Sequence, residues 1–358
     1  MHSQTSPTKV KWCFVMENTI KVICYGVGVI GGKIAKAILK KKGITIVGAV
    51  DVAKEKVGKD LGEVLGLDKK LGVTVTDDPE ELFSNIEADI VVHCTSSYLH
   101  QVYPQIIQCV KAGLNVVSTC EELSFPFDKY PELASRIDKL ALDYGVTVLG
   151  TGINPGYLMD TLSIVLTAPC LRVDHIEVTR MMNSAKRRIP FQKKIGTGLT
   201  KEEFIEKMKN KIITGHVGLY ESISMIAAAL GWKLDRIEEF DPEPVIADRD
   251  LETPYTKVPK GHVAGLKSIA KGYMNEKEVI VLNFVAYAHV PEEYDEIIIK
   301  GEPNIHEKII GGVHGDIGTV AMVVNAIPKV LNAEPGLLTM KDIALPSAAV
   351  EDMRIYVA

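Results

Sequence analysis

The sequence predicts an α/β protein: an N-terminal doubly wound Rossmann domain, then a second α+β domain built on a mixed or antiparallel sheet. Three observations carry this. Residues 20–51 read as strand, glycine turn, helix and strand, with an acid at the end. Apolar runs alternate with amphipathic stretches as far as residue 150, the pattern of parallel strands covered on both faces. Beyond residue 157 strands follow one another without crossover helices, which implies antiparallel or mixed pairing.

The first strand is Ile20–Tyr25, and the turn is Gly26-Val27-Gly28-Val29-Ile30-Gly31. A helix is expected over 32–41, a second strand over 45–50, then Asp51. This is G-x-G-x-x-G between a strand and a helix, the dinucleotide fingerprint in its proper context. Gly26 permits the tight turn, Gly28 lets the backbone approach a pyrophosphate, and Gly31 lets the helix pack closely on the strand. With Val29 and Ile30 they open a helix whose free N–H groups attract phosphate. Asp51 lies 23 residues past Gly28, where its carboxylate can hold both ribose hydroxyls. It repels a 2′-phosphate, so the cofactor expected is NAD. Lys54 and Lys56 just beyond it leave NADP possible.

The following elements come in order. A short helical stretch over 57–67 leads to a strand at 73–75. Asp77-Asp78-Pro79 starts a helix, with Pro in its first turn and acids near its N-terminus. Residues 89–94 (DIVVHC) form a buried parallel strand, and an amphipathic helix over 98–112 is closed by Gly113. A fifth strand at 115–119, a helix at 131–144 closed by Gly145 and a sixth strand at 146–149 complete the first pattern. A loop at 152–156 leads to a helix over 157–166 and a strand over 175–182. Helices at 200–211 and 219–230 follow, then strands at 236–247, 262–273, 279–289 and 296–300. An apolar helix over 317–331 is expected to return to the first domain and cover its sheet. The domains expected are 16–156, completed by 316–358, and 157–315, after a loose tail at 1–15.

The chain has 358 residues, 46% hydrophobic and 24% charged, with a net charge of −5, an ordinary globular composition. It lacks the basic footprint of a nucleic-acid binder, and no apolar run approaches the roughly 18 residues of a membrane helix. The first fifteen residues show no long apolar core or cleavage site of a secretory signal, so a cytoplasmic location is expected. Six scattered cysteines fit reduced thiols there rather than disulfides or a metal site.

Ligands of such sheets bind at the carboxyl ends of the strands. Thr95, Ser96 and Ser97 follow strand four and either line the path from phosphates to nicotinamide or cap the next helix. Thr119, Cys120, Glu121 and Glu122 follow strand five. Acids at the end of a buried strand are costly unless used or paired, and a cleft carboxylate can take a proton from an ammonium and activate water. Both glutamates are therefore catalytic candidates; capping or solvation is the alternative. Asn154, Pro155 and Gly156 follow strand six and could meet the nicotinamide carboxamide, or simply turn the chain between domains. His93, inside a strand, reads as core. Candidates from the second domain are Arg180, Asn183, Tyr220 and His314. Arg187 and Arg188 could meet a substrate carboxylate or belong to a solvated basic loop.

At these residues the chain is recognisable. Residues 20–51, 118–126 (STCEELSFP), 151–160 (TGINPGYLMD) and 314–328 (HGDIGTVAMVVNAIP) together resemble the 2,4-diaminopentanoate dehydrogenase family, with its native amine dehydrogenase relatives and dihydrodipicolinate reductase-like architecture. The first stretch is generic to dinucleotide folds; the other three are more specific. The resemblance implies NAD(P)-dependent oxidative deamination of 2,4-diaminopentanoate at C4, giving 2-amino-4-oxopentanoate and ammonia, in ornithine breakdown. It implies a cleft glutamate that handles the amine, Glu121 first with Glu122 beside it, a small diamine or amino-acid substrate, and a homodimer. An apolar wall for the substrate methyl group is expected from 219–230. The alternatives are another dihydrodipicolinate reductase- or homoserine dehydrogenase-like oxidoreductase, and a non-catalytic NAD sensor.

Overall fold

The computed structural model describes residues 19–358; the expected tail at 1–15 lies outside them. Two seven-stranded sheets organise the chain. The first is built from β1 (Ile20–Tyr25), β2 (Ile44–Val50), β3 (Val75–Thr76), β4 (Ile90–His93), β5 (Asn115–Ser118) and β6 (Thr147–Gly150). Its crossovers carry α1 (Val29–Ile38), α2 (Leu61–Val64), α3 (Pro79–Asn85), α4 (Leu99–Lys111) and α5 (Pro131–Tyr144). The second unit contains α6 (Thr161–Leu166), β7 (Arg172–Asn183), α7 (Ile189–Lys194), α8 (Lys201–Lys209), α9 (Leu219–Leu230), β8 (Arg236–Glu239) and β9 (Glu243–Ile246). A short hairpin, β10 (Leu251–Glu252) and β11 (Lys257–Val258), stands apart. Then come β12 (Val263–Met274), β13 (Lys277–Tyr287), β14 (Tyr294–Glu302) and β15 (Ile305–Ile310). The chain returns through α10 (Gly315–Leu331) and adds β16 (Gly336–Leu338) to the first sheet.

The first sheet runs β16-β6-β5-β4-β1-β2-β3, parallel throughout. The order reverses between β1 and β4, so a crevice opens at their carboxyl ends, where ligands of such sheets sit. The local sequence explains its helices. In α4 the buried residues Leu99, Val102, Ile106, Cys109 and Val110 recur at helical spacing. Asp78 caps α3 by accepting from the Glu81 N–H at 2.9 Å, with Pro79 in the first turn. Gly145 ends α5 in the left-handed region at φ 68°.

The second sheet runs β15-β14-β7-β13-β12-β8, with β9 also on β12. Only β7 and β13 run parallel; the other pairs are antiparallel. α10 lies on the first sheet, where Val323, Val324, Ala326, Ile327 and Val330 share a core with Ile20, Val22 and Cys24 of β1 and Ile34 and Ile38 of α1. Burying five such side chains contributes on the order of 10 kcal/mol. No helix among the described residues is long and apolar enough to cross a membrane. The five described cysteines are free thiols.

Several elements differ from expectation. α1 begins at Val29 rather than 32, because helical turns close on Gly28 directly: the Gly32 N–H donates to the Gly28 carbonyl at 2.8 Å. The strand expected over 236–247 is two strands, interrupted over 240–242, where Pro242 has no N–H for a ladder. α7, β15, β16 and the β10–β11 hairpin were not anticipated.

Candidate active site

Between the carboxyl end of the first sheet and the face of the second lies a cleft of about 1430 Å³, open to solvent. Its floor comes from four loops: Gly28–Gly31 after β1, Cys94–Ser97 after β4, Thr119 and Glu121 after β5, and Ile153 with Asn154 after β6. Its roof comes from Arg180 and Met182 of β7, Phe284 of β13, His216, and the segment from Arg187 to Lys194. Gly315, Asp316 and Thr319 at the start of α10 close one side.

The glycine loop fits a dinucleotide. A Cβ on Gly31 would lie 1.9 Å from the Gly26 carbonyl oxygen, so helix and turn meet at a distance only glycine allows. A Cβ on Gly28 would meet nothing within 4 Å, which is room for a phosphate against the backbone. The first turn of α1 carries no acid and presents its free N–H groups there. Asp51 accepts from the Val27 N–H at 2.8 Å and the Ala53 N–H at 2.9 Å, and pairs with Lys56 at 2.8 Å. Burial raises its pKa, but Lys56 and the two N–H groups outweigh that and hold it below the usual carboxylate range. The residues after β4 line the cleft and are also tied to α4. Thr95 donates to Gln105 at 2.6 Å, and Ser96 donates to Gln101 at 2.5 Å. Cys120 is buried under this layer, Pro155 packs against Gly218, and the Gly156 N–H is held by Asp160 at 2.8 Å. These three shape the loops without lining the cleft; of 154–156 only Asn154 faces it.

The two glutamates diverge. They sit on a single turn of 3-10 helix, Glu121–Leu123, pressed so close to β6 that a Cβ on Gly150 would lie 2.5 Å from the Leu123 carbonyl carbon. Glu121 points into the cleft. Burial raises its pKa above the ordinary carboxylate value; the Ser97 hydroxyl and the Lys194 charge pull the other way and do not cancel it. Glu122 turns away and is 3% exposed. It accepts from the Leu99 N–H at 2.8 Å, Lys129 at 3.2 Å and the Tyr130 hydroxyl at 2.7 Å. Its carboxylate caps α4, which has no cap from its own residues. Glu122 is thus corrected from a catalytic candidate to a structural ion.

The second-domain candidates are corrected likewise. Arg180 reaches the cleft wall but is committed to Asp295 at 3.2 Å and to the Val313 carbonyl at 2.6 Å. Asn183 accepts from the N–H groups of Ala185 and His289, both at 3.0 Å, and builds its own loop. Tyr220 borders a separate hollow beside Phe125 and Asp128. His314 caps α10, its Nδ1 3.4 Å from the Ile317 N–H, outside the cleft. The apolar wall comes from Met182, Phe191 and Phe284 rather than from α9.

Sequence reasoning missed His216 and Lys194. His216 stacks on Phe284 with centroids 4.2 Å apart and planes 6° off parallel, its Nε2 2.8 Å from Asn154 Nδ2. Burial and the charges of Lys194 and Arg180 lower its pKa to about 3, so at neutral pH it is an uncharged ring and no base. A buried oxygen of Asn154 has no partner among the described residues and is open to a ligand. Asp316, the other carboxylate lining the cleft, is already bound. Burial lifts its pKa, but Lys33 at 2.8 Å and Arg187 at 2.6 Å bring it below the usual range. Glu121 therefore remains the one cleft carboxylate among the described residues whose pKa is raised and which no ion pair holds charged.

A Rossmann sheet with a phosphate-binding turn, joined to a mixed-sheet domain across a cleft that holds one basic carboxylate, is the architecture of a nicotinamide-dependent oxidoreductase. The comparisons make this particular. Residues 157–358 match the model described as the 2,4-diaminopentanoate dehydrogenase C-terminal domain, and residues 20–120 that of the dihydrodipicolinate reductase N-terminus. The chain belongs to the 2,4-diaminopentanoate dehydrogenase family. It is 38% identical over 342 residues to 2,4-diaminopentanoate dehydrogenase of Acetoanaerobium sticklandii, covering 94% of this chain and 96% of the relative. An amine dehydrogenase of Streptomyces virginiae is 23% identical, covering 92% and 97%. The solved amine dehydrogenase of Mycobacterium smegmatis superposes with a TM-score of 0.81 at 27% identity, covering 94% and 99%.

Proposed function

We propose that the protein oxidises 2,4-diaminopentanoate at C4 with NAD(P), giving 2-amino-4-oxopentanoate and ammonia, and runs the reverse amination when ammonia is abundant. The observation that carries this is Glu121: a half-buried carboxylate of raised pKa that lines the cleft and has no ion-pair partner within 4.0 Å among the described residues. The loop Gly28–Gly31 and Asp51 hold the dinucleotide, and Thr95, Ser96, Thr119 and Asn154 border its path across the cleft. A nicotinamide held there would supply the acceptor for the C4 hydride. Glu121 does the proton work. It takes a proton from the C4 ammonium, freeing the lone pair that expels the hydride. It passes that proton to solvent, deprotonates the water that attacks the imine carbon and returns this second proton to the amine nitrogen of the tetrahedral adduct, so that ammonia leaves while the hydroxyl proton goes to solvent and the ketone forms. The balance is one ammonium substrate, one oxidised cofactor and one water to one ketone, one ammonium ion, one reduced cofactor and one proton. The flat His216–Phe284 stack and Met182 exclude water on the substrate's carbon side.

NAD is the preferred cofactor in this reading, because Asp51 repels a 2′-phosphate, while its Lys56 partner leaves NADP usable. The same reading takes the protein to work in the cytoplasm as a homodimer in an ornithine-degrading route; family membership is the support for all three. The test is the purified protein with 2,4-diaminopentanoate and each cofactor, following reduced nicotinamide and ammonia together. Equimolar appearance of both is expected; reduced cofactor without ammonia, or neither, refutes the reading.

A further inference from the structure

The cleft contains four cationic side chains, Arg180, Arg187, Arg188 and Lys194. Two are committed. Arg180, 2% exposed, pairs with Asp295, and Arg187 pairs with Asp316 while stacking over Phe191 at 4.8 Å. Arg188 and Lys194 are exposed, and neither has a carboxylate within 4.0 Å among the described residues. The charge of Arg188 falls on Asp316, beside Lys33 and the phosphate-binding helix. The charge of Lys194 falls on Glu121 and His216, at the end where Asn154 and Phe284 meet. Lys194 is the last residue of α7, whose carbonyl end favours a cation; that explains why a lysine is tolerated there, not why it stands over the reacting end of the cleft.

We propose that Lys194 recognises the substrate carboxylate and so makes the enzyme select amino-acid amines over simple alkylamines. The inference rests on the amine dehydrogenase reading above. A diamino acid carries an ammonium at one end and a carboxylate at the other. Glu121 and Lys194 offer the complementary pair within the same cleft, which the Phe284–His216 stack and Met182 also line, giving apolar surface for the aliphatic carbons. Simple charge attraction of this kind sets substrate choice and adds nothing to the hydride step, so its loss belongs in KM.

The test is steady-state kinetics of wild type, Lys194→Met and Lys194→Arg on 2,4-diaminopentanoate, on 4-aminopentanoate, and on 2-aminopentane, which lacks the carboxylate. The last is read as a substrate or as a competitive inhibitor. The Met variant is expected to raise KM for both carboxylated amines by about tenfold or more with kcat within about threefold, and to shrink discrimination against 2-aminopentane by the same factor. The Arg variant is expected to restore most of it. An equal loss on all three amines, or undiminished discrimination, overturns the proposal. Absence of turnover by wild type on every amine would instead sink the amine dehydrogenase reading, and this inference with it.

Discussion

Glu122→Gln separates the two adjacent glutamates most sharply. In the native protein one carboxylate oxygen caps α4 at Leu99, and the other accepts from both Lys129 and Tyr130. A glutamine has only one acceptor oxygen. Whichever way its amide turns, either the α4 cap or the Lys129–Tyr130 pair faces an N–H₂ group. A lost cap costs about 1 kcal/mol, and a buried donor left without an acceptor about 1–3 kcal/mol. Lys129 keeps Glu221 as a second partner at 3.4 Å, which limits the damage. The expected total is about 3 kcal/mol, or a fall in Tm of about 6 °C for a chain of this size. Thermal unfolding followed by circular dichroism measures it. Because the side chain does not line the cleft, kcat/KM of the folded variant should stay within about threefold of wild type. A variant as stable as wild type, or one that folds normally but loses turnover a hundredfold, would refute the structural assignment of Glu122.

Two further perturbations address the cofactor site. Gly31→Ala puts a methyl group into the Gly26 carbonyl and should destabilise by about 3 kcal/mol or more, whereas Gly28→Ala should fold normally and weaken dinucleotide binding instead. Unfolding midpoints and dinucleotide titration check both, and the reverse pattern would contradict the loop's geometry. Asp51→Ala should lower NAD affinity by about tenfold and shift the KM ratio toward NADP, since it removes the ribose acceptor and leaves Lys56 unpaired. An unchanged ratio would deny Asp51 that role.

Periodicity made much of this legible. The run from β1 to β2 was readable because glycine spacing, apolar strands and an acid all point to one structure; α1 moved as a whole toward the turn, to 29–38 from 32–41, and β2 gained one residue. The mixed second sheet followed from strands without crossovers, although the break over 240–242 needed Pro242 to be weighed as a ladder breaker. The alternating IHEKII of β15, after the turn residues Pro303 and Asn304, was a signal that could have been used. The split between Glu121 and Glu122 was not readable, because neighbours on one tight turn diverge by an angle that the packing of Gly150 and the end of α4 sets. His216 and Lys194 come from segments whose only pattern is local. Their place over Glu121 is decided by how the second sheet meets the first, and no spacing encodes that.

The central claim is that Glu121 exchanges the proton. Its burial-raised pKa fixes the sign of the pH dependence: the carboxylate form is the working form, so turnover falls as pH drops through that pKa. The most direct measurement is the pH profile of kcat for 2,4-diaminopentanoate in wild type and Glu121→Gln. The variant should lose about 10²–10⁴ in kcat and the acid limb with it, at unchanged dinucleotide affinity. A glutamine variant that keeps wild-type kcat and the same acid limb would show that another group moves the proton.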